Sequence, residues 1–375
     1  MSDKRFIDLA VDGVKDLAPY QAGKPISELQ RELGIDDIIK LASNENPLGP
    51  SPKAVAVIRG ELDDLALYPD GNGFALKRML ADYHGIDAKC ITLGSGSDHI
   101  LELAARVFLG PGRSAVISQY AFAIYNIVAQ AAGAELLIAD ANKPAHATQP
   151  YGHNLDNMRA LINDTTRMVF IANPNNPTGT WLGKSEMEKF LDAVPRDVVV
   201  LVDEAYVDYV KEEDYPDCSL WLRKYPNLIV TRTFSKAYGL AGLRVGYAIA
   251  NPEITDLLNR VRLAFNPNLL AQSAAVAALG DREHIRRTVE MNNEGLRQMR
   301  EAYVDLGLEV IPSVCNFYTV DVGGPAKPVF DALLKEGVIV RPVGNYGMPN
   351  HLRISIGTPE QNTRLISALR KVLAR

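Results

Sequence analysis

Hydrophobic and polar positions follow two different patterns along the chain. Between about residues 90 and 250, short runs rich in β-branched residues are separated by amphipathic stretches. Continuously apolar runs of this length are typical of strands buried on both faces of a sheet. The runs are KCITLG, SAVISQ, AELLIA, RMVFIAN, DVVVLVDEA, NLIVTRTF and RVGYAIA. They predict an α/β domain with a mostly parallel seven-stranded sheet covered by helices.

Two of the intervening helices are defined by the spacing of their apolar residues. Over residues 97–109 apolar side chains recur on one face, and the GPG at 110–112 ends the helix. Residues 184–194 show the same spacing before Pro195.

The pattern changes after about residue 265. A long polar-rich helix is predicted over 282–306, followed by the short apolar runs LEVIPS, NFYTVDV, VIVRPV and LRISIG and by helices near 327–336 and 360–374. This mixture predicts a smaller α+β domain, against which the loop-rich first 45 residues are expected to pack. The predicted division is 46–265 for the large domain, and 1–45 with 266–375 for the small one.

Composition excludes several classes of function. The net charge of −5 gives no basic face for nucleic acid or anionic lipid. The three cysteines, Cys90, Cys218 and Cys315, are far apart, which argues for a reducing compartment and against zinc, so no metal is expected. Because the N-terminus lacks a signal-peptide pattern and every apolar run is strand-length, a cytoplasmic protein without membrane spans is expected.

Lys236 follows an apolar strand and precedes several small residues in SKAYGLAGLR. A buried or cation-flanked lysine has a lowered pKa, and only the unprotonated amine attacks an aldehyde. Arg244, eight residues later, is suited to an anion. A lysine at a strand end that extends to water is an equally good interpretation of this stretch alone.

Polar residues also follow two other predicted strands. Asp203 ends the run VLVD, at the position where open α/β sheets place groups that contact ligands, and Tyr206 follows three residues later. A buried carboxylate needs a cation or several hydrogen bonds, which a protonated ring nitrogen or an internal salt bridge could supply. In ANPNNPTGT, a stiff turn presents Asn176, whose amide could donate to an oxygen.

The stretch LGSGSDHILEL leads from a strand into a helix. Gly96, Ser97 and Asp98 would present free backbone N–H groups at the helix start, which is a favourable place for a phosphate. Ser95 and Asp98 also fit a capping box, which is the purely structural alternative.

Aromatic and basic residues complete the candidates. In SQYAFAIY, Tyr120 or Phe122 could stack on a flat ring, or both could fill core. Arg341 and Arg353 are flanked by apolar strand residues, so each is suited to a carboxylate or phosphate, or to an internal ion pair. Taken together, the amine, the acid for a ring nitrogen, the donors, the aromatic ring and the phosphate cradle all match one molecule, pyridoxal 5'-phosphate.

The motifs NPNNPTGT, DEAYVDY, SKAYGLAGLRVGY and RISIGT, in this order, resemble the fold-type I aminotransferases over nearly the whole chain. PYQAGKP, LASNENPLGPSP and YPDG make the resemblance closest to the histidinol-phosphate aminotransferase family. The chain departs from the usual pattern at Ser95, at His99 and in SQYAFAIY, which leaves both Tyr120 and Phe122 open as the stacking ring.

The resemblance implies a role for each candidate. Lys236 joins the cofactor aldehyde and moves the substrate proton, Asp203 keeps the ring nitrogen protonated, and Asn176 and Tyr206 bond the ring oxygen. The phosphate is assigned to Gly96, Ser97, Asp98, Thr233, Ser235 and Arg244. The substrate pocket is assigned to Tyr20, Asn44 and Arg353, with Arg341 as a second cation.

The resemblance also implies an obligate homodimer in which Tyr68 reaches the phosphate site of the other subunit. The implied reaction is transamination of L-histidinol phosphate with 2-oxoglutarate in histidine biosynthesis. An aminotransferase for phenylalanine or tyrosine stays open, because Arg353 suits a carboxylate as well as a phosphate ester. A decarboxylase of a phosphorylated amino acid would use the same residues.

Overall fold

Helices and strands alternate through most of the chain, and the computed structural model describes residues 5–373. The helices are α1 (Phe6–Leu9), α2 (Asp12–Lys15), α3 (Ile26–Leu33), α4 (Pro52–Gly60), α5 (Phe74–His84), α6 (Ser97–Phe108), α7 (Ala123–Ala131), α8 (Leu155–Ala160), α9 (Lys184–Ala193), α10 (Pro252–Val261), α11 (Leu269–Leu279), α12 (Arg282–Asp305), α13 (Ala326–Lys335) and α14 (Pro359–Leu373). The strands are β1 (Ile39–Lys40), β2 (Ile91–Gly94), β3 (Ser114–Ser118), β4 (Glu135–Ala139), β5 (Thr166–Ala172), β6 (Val199–Asp203), β7 (Leu228–Thr233), β8 (Gly246–Ala250), β9 (Glu309–Ile311), β10 (Phe317–Asp321), β11 (Val338–Ile339), β12 (Arg341–Pro342) and β13 (His351–Ser355).

The large sheet contains all seven strands that the apolar runs predict. Its order is β2-β8-β7-β6-β5-β3-β4. The pairs β3–β4, β3–β5, β5–β6 and β6–β7 are parallel, whereas β8 is antiparallel to both of its neighbours. The prediction of a mostly parallel seven-stranded sheet is therefore confirmed.

Helices cover both faces of this sheet. On β5, Met168 and Phe170 belong to a core cluster with α6, α7 and α10. Val169 and Ile171, on the other face of the same strand, belong to a cluster with α8 and α9. Because consecutive side chains point to opposite faces, burial on both sides requires the unbroken apolar runs seen in the sequence.

The parallel strands β5, β6 and β7 end at one edge of the sheet. Ala172 lies beside Asp203, and Asp203 lies beside Thr231. The segments that leave these strands therefore begin next to one another, although they are far apart in sequence. This edge brings together the residues that follow each strand.

The last third of the chain forms a smaller antiparallel sheet of order β12-β13-β10-β9. Helices α12, α13 and α14 pack on it through a separate apolar cluster. Strand β1 pairs in parallel with β11, so that Ile39 lies beside Val338. The chain that leaves β1 is thereby held next to the smaller sheet.

Helix α11 lies beyond residue 265 but packs on the large sheet. It contacts α4 and α5 and shares an apolar cluster with strands β2 and β8. The division at residues 45 and 265 stays a prediction.

Within residues 5–373, no helix has both the length and the apolar character needed to cross a membrane. The cytoplasmic location expected from the sequence stays a prediction.

Candidate active site

A cavity of about 500 Å³ lies at the edge where β5, β6 and β7 end, and residues of both sheets line it. Most of the residues that the sequence singles out are among its lining: Tyr20, Asn44, Ser97, Asp98, Phe122, Asn176, Asp203, Tyr206, Thr233, Ser235, Lys236, Arg244, Arg341 and Arg353. Two predicted residues are not in the lining. Gly96 directly precedes the lining residue Ser97, and Tyr68 is an exposed surface residue.

Lys236 is three residues beyond the end of β7, and its amine faces the cavity. Nζ donates a hydrogen bond to the backbone oxygen of Ser43 at 3.2 Å. Removal from water, helped by the positive charges of Arg353 and Arg244, lowers the pKa of Lys236 to about 8. The unprotonated, nucleophilic form of this amine is therefore far more populated near neutral pH than that of an ordinary lysine.

Asp203 ends β6 and is only 5% exposed. Its carboxylate accepts hydrogen bonds from the Tyr125 hydroxyl at 2.8 Å and the Thr231 hydroxyl at 3.1 Å. Burial raises the pKa of Asp203, and the two hydroxyl donors oppose that shift. No ion pair in residues 5–373 includes Asp203, so its charge lacks a cation, and a cation in the cavity would stabilise it.

Sequence reasoning missed Tyr125 and Thr231 as partners of Asp203. Tyr125 is fully buried on α7 and stacks on Phe170, which is an ordinary core environment. No local pattern distinguishes it from other core aromatics, because Asp203 is 78 residues away in sequence. Thr231 points to the same face of β7 as Thr233, because the two residues are two positions apart. This alternation is the sequence signal that could have identified Thr231.

Asn176 and Arg353 form a fixed pair. Arg353 Nη1 donates to Asn176 Oδ1 at 2.6 Å, and Nη2 donates to the backbone oxygen of Ala42 at 2.7 Å. Because Oδ1 is engaged by a cation, the amide Nδ2 of Asn176 is left to donate into the cavity. Arg353 is buried, and its Nε has no partner among the described residues.

Tyr206, like Asn176, lines the cavity. Its hydroxyl oxygen accepts a hydrogen bond from Asn44 Nδ2 at 2.8 Å. Burial raises the pKa of Tyr206 well above its usual value, so the hydroxyl keeps its proton. Two neutral hydrogen-bond donors, Asn176 and Tyr206, therefore belong to the cavity lining.

The start of α6 forms a concave corner. The N-cap, Gly96, has a φ of 91°, and no side chain caps the helix. A Cβ at Gly96 would lie 2.3 Å from Arg244 Nη2, so only glycine fits this position. The free N–H groups and the nearby guanidinium together favour an anion at this corner.

The capping box suggested by Ser95 and Asp98 does not form. Asp98 Oδ1 instead accepts from Arg244 Nη2 at 2.7 Å, and the Ser95 hydroxyl donates to Asn266. Arg244 Nη1 also donates to the Ser235 hydroxyl at 3.3 Å. The arginine is thus held across the helix start by Asp98, in the first turn of α6, and by Ser235, in the loop after β7.

The two candidate aromatic rings separate. Phe122 lines the cavity, whereas Tyr120 packs edge-on against Tyr151, with ring centroids 5.4 Å apart. Tyr20 lies edge-on to Phe122 at 6.5 Å and is half-exposed at the cavity mouth. Of the two rings that the sequence leaves open, only Phe122 borders the cavity.

Arg341 and Arg353 are direct neighbours in the smaller sheet. They face each other across the antiparallel pair β12–β13, so their side chains point to the same side. The Arg341 guanidinium donates to the backbone oxygen of Gln21. The cavity therefore has a second cationic end, built by the smaller sheet and separate from the α6 corner.

Glu45 is a further lining residue that the sequence reasoning did not single out. Its carboxylate accepts from Lys40 Nζ at 2.7 Å. It follows Asn44 on the loop after β1, and this loop also supplies Ser43 as the partner of Lys236. The signal that could have found it is its place inside LASNENP.

Tyr68 lies on the surface, away from the cavity. It is 80% exposed, and its ring stacks on Phe265 with centroids 4.2 Å apart. Leu65, Leu67 and Leu263 are also exposed. Tyr68 therefore does not contribute a side chain to the cavity of its own chain.

The fold and the cavity agree with a comparison to known families. The model of the aminotransferase class I and II family matches residues 36–369. The chain belongs to this family. It is an enzyme of the kind that moves an amino group with pyridoxal 5'-phosphate.

Individual relatives identify the branch of the aminotransferase family to which the chain is similar. A protein of Pseudomonas fluorescens named histidinol-phosphate aminotransferase 2 is 56% identical over 99% of both chains. A protein of the same name from Pseudomonas aeruginosa is 54% identical over 100% of both chains. The crystal structure of histidinol-phosphate aminotransferase from Sinorhizobium meliloti in complex with pyridoxal-5'-phosphate has a TM-score of 0.89, with 27% identity over 97% of both chains. These relatives place the chain among the histidinol-phosphate aminotransferases.

The residues of the cavity fit the cofactor of this family. Asp203 is a buried carboxylate that lacks a cation, which a protonated ring nitrogen provides. The corner at Gly96 has room only because a side chain is absent, and it presents donors to an anion. Lys236 supplies the amine whose lowered pKa suits bonding to an aldehyde.

Proposed function

We propose that this enzyme transfers the amino group of L-histidinol phosphate to 2-oxoglutarate, giving imidazole acetol phosphate and L-glutamate, a step of histidine biosynthesis. The observation that carries the proposal is the second cationic end formed by Arg341 and Arg353. It supplies a site for a substrate anion that is distinct from the α6 corner. The names of the relatives at 54–56% identity support the same substrate.

The α6 corner and the edge of the large sheet would hold the cofactor. Its phosphate is assigned to Gly96, Ser97, Asp98, Thr233, Ser235 and Arg244. Phe122 would face the ring, Asp203 the ring nitrogen, and Asn176 and Tyr206 the ring oxygen. Pyridoxal phosphate, when bound, draws electrons from the substrate Cα and so weakens its C–H bond.

Lys236 has two tasks in this proposal. Its amine would hold the cofactor through the aldehyde and, once released by the substrate amine, would take the proton from the substrate Cα. Ser43 holds Nζ at the cavity wall through its backbone oxygen. Asp203, held by Tyr125 and Thr231, would place a negative charge beside the ring nitrogen.

Arg353 would grip the anionic end of the amino donor. The guanidinium is oriented by Asn176 and Ala42 and has a free Nε. Arg341 adds a second positive charge on the same face, and Tyr20 and Asn44 border the space between. A phosphate ester carries more negative charge than a carboxylate, so two adjacent arginines favour the phosphorylated donor.

Substrate preference is tested by measuring kcat/KM with histidinol phosphate, phenylalanine, tyrosine and histidine under 2-oxoglutarate. We expect histidinol phosphate to be the best donor. Arg341→Met should reduce kcat/KM for histidinol phosphate more than for phenylalanine, because a carboxylate needs only one arginine. A wild-type preference for phenylalanine or tyrosine would refute the proposed substrate.

We also propose a homodimer in which Tyr68 completes the partner's site. Its exposure, its stacking on Phe265 and the exposed leucines around it support an interface at this surface. The resemblance to the family assigns the tyrosine to the phosphate of the other subunit.

The shared site is tested with hybrids of Tyr68→Phe and Lys236→Ala subunits. Each variant alone should be impaired. In the hybrid, one site combines a native Lys236 with a native Tyr68 from the other chain, so activity should return in part. Hybrids that show only the sum of the two separate variants would count against a shared site.

A further inference from the structure

Asn44 is fastened to the protein on both sides of its backbone. It is 1% exposed and has a φ of 55°, a left-handed conformation that Asn tolerates better than most residues. Its N–H donates to the Ser355 hydroxyl at 2.8 Å, and its backbone oxygen accepts from Asn316 at 2.9 Å. The position of its side chain is therefore fixed.

The orientation of the Asn44 amide is fixed as well. The Ser355 hydroxyl, which accepts the Asn44 N–H, donates its own hydrogen to Asn44 Oδ1 at 3.1 Å. A reversed amide would leave that hydroxyl hydrogen without an acceptor in a buried place. The Nδ2 group must therefore be the end that faces Tyr206.

This orientation decides what the Tyr206 hydroxyl can do. Asn44 Nδ2 donates to the Tyr206 oxygen at 2.8 Å, so the phenolic hydrogen cannot point back toward Asn44. Tyr206 lines the cavity, and its phenolic hydrogen is left to point there. Asn176 is set in the same way, because Arg353 engages its Oδ1 and leaves its Nδ2 to donate.

We propose that Asn44, locked by Ser355, is a positioning residue that keeps the Tyr206 hydroxyl as a hydrogen-bond donor to the ring oxygen of the cofactor. The donors at that oxygen belong to loops at the edge of the large sheet. The groups that orient them, Asn44, Ser355 and Arg353, come from the smaller sheet and the segment after β1. This inference rests on the proposed role of Tyr206 and not on the identity of the amino donor.

The test is the pH titration of the visible absorbance band of the enzyme with bound cofactor. Asn44→Gly keeps the left-handed backbone but removes the amide. A ring oxygen with a weaker donor holds a shared proton more tightly, so the midpoint of the band should move to higher pH. A shift of roughly 0.5 to 1 pH unit corresponds to one neutral hydrogen bond.

A double-mutant cycle separates orientation from general loosening. Tyr206→Phe should shift the midpoint further in the same direction, and adding Asn44→Gly to it should produce no additional shift. Ser355→Ala keeps the Asn44 side chain but removes both the acceptor of its N–H and the donor to its Oδ1. It should give a smaller shift and serves if Asn44→Gly does not fold. Asn292→Ala, at another buried amide that donates to the Cys315 backbone, is the matched control and should leave the midpoint unchanged.

Two results would overturn the inference. If the midpoint shifted in Tyr206→Phe but stayed unchanged in both Asn44→Gly and Ser355→Ala, the proposed role of Asn44 would be refuted and that of Tyr206 would stand. The same would follow if the Asn44→Gly shift persisted in full without the Tyr206 hydroxyl. An unchanged midpoint in Tyr206→Phe itself would overturn both this inference and the proposed role of Tyr206.

Discussion

Asp203 and Glu204 are consecutive carboxylates, both buried, with opposite surroundings. Glu204 points away from the cavity and accepts from Arg232 Nε at 2.9 Å and Nη2 at 2.7 Å. The backbone N–H of Cys218 adds a third bond at 3.0 Å. Asp203 faces the cavity and accepts hydrogen bonds from the neutral hydroxyls of Tyr125 and Thr231, without an ion pair among residues 5–373.

This difference in partners shows which of the two buried carboxylates is available to pair with a ligand. The charge of Glu204 is neutralised inside the protein, and Arg232 is shared with Asp217 at 2.6 Å. The charge of Asp203 is compensated only when a cation enters the cavity. The charge of one carboxylate is therefore compensated within the fold, while that of its neighbour costs stability that cofactor binding recovers.

The largest effect is expected at Asp203. Asp203→Asn should lower kcat by about 10²- to 10³-fold, because the ring nitrogen loses the buried charge that keeps it protonated. The melting temperature of the cofactor-free protein should stay the same or rise, since an uncompensated carboxylate is removed. Near-native turnover in this variant would contradict the proposed functional difference between Asp203 and Glu204.

Glu204→Gln should act on stability instead. Arg232 would be left buried with only the partly exposed Asp217, so the free energy of unfolding should fall by about 3 kcal/mol. Turnover per folded molecule should stay close to wild type. Denaturant unfolding with a kcat measurement checks both points.

The matched control for Glu204 replaces both partners. Glu204→Leu with Arg232→Met removes the ion pair without leaving a lone charge, and it should recover most of the lost stability. If the single and double variants were equally unstable, the account of a self-contained pair would be wrong.

The smallest effect concerns pH. In cofactor-free protein, the rate at which Lys236 captures an aldehyde should rise with pH and level off above about 8, because the unprotonated amine reacts. The negative charge of Asp203 raises the pKa of Lys236, so Asp203→Asn should move this midpoint to lower pH. Glu204→Gln should leave it in place, since the charge of Glu204 is already neutralised by Arg232. A midpoint near the ordinary lysine value of 10.5 would contradict the burial argument.

The elements of the fold could be predicted because each depends on a local pattern. The unbroken apolar runs identified all seven strands of the large sheet, and helical spacing with terminal Gly and Pro identified α6, α9 and α12. The packing of α11 on the large sheet could not be predicted, because its hydrophobic residues are spread around the helix and indicate no single partner.

The residue types at the site could likewise be predicted, but their partners could not. Lys236 and Asp203 stand at strand ends, which a sequence reveals. The bonds that orient Tyr206 and Asn176 join residues more than 160 positions apart. Asp203 and Glu204 are adjacent acidic residues that the sequence does not distinguish. They differ because the Asp203 side chain points into the cavity and the Glu204 side chain points away from it.

The pairing of β1 with β11 has a consequence for synthesis of the chain. Ile39 leaves the ribosome early, yet its partner Val338 emerges only near the end of translation. The large sheet has no such delay, because its strands lie within residues 91–250. The loop with Ser43 and Asn44 is thus anchored last, and a nascent or truncated chain that stops before residue 338 carries its lysine without the wall that shapes the pocket.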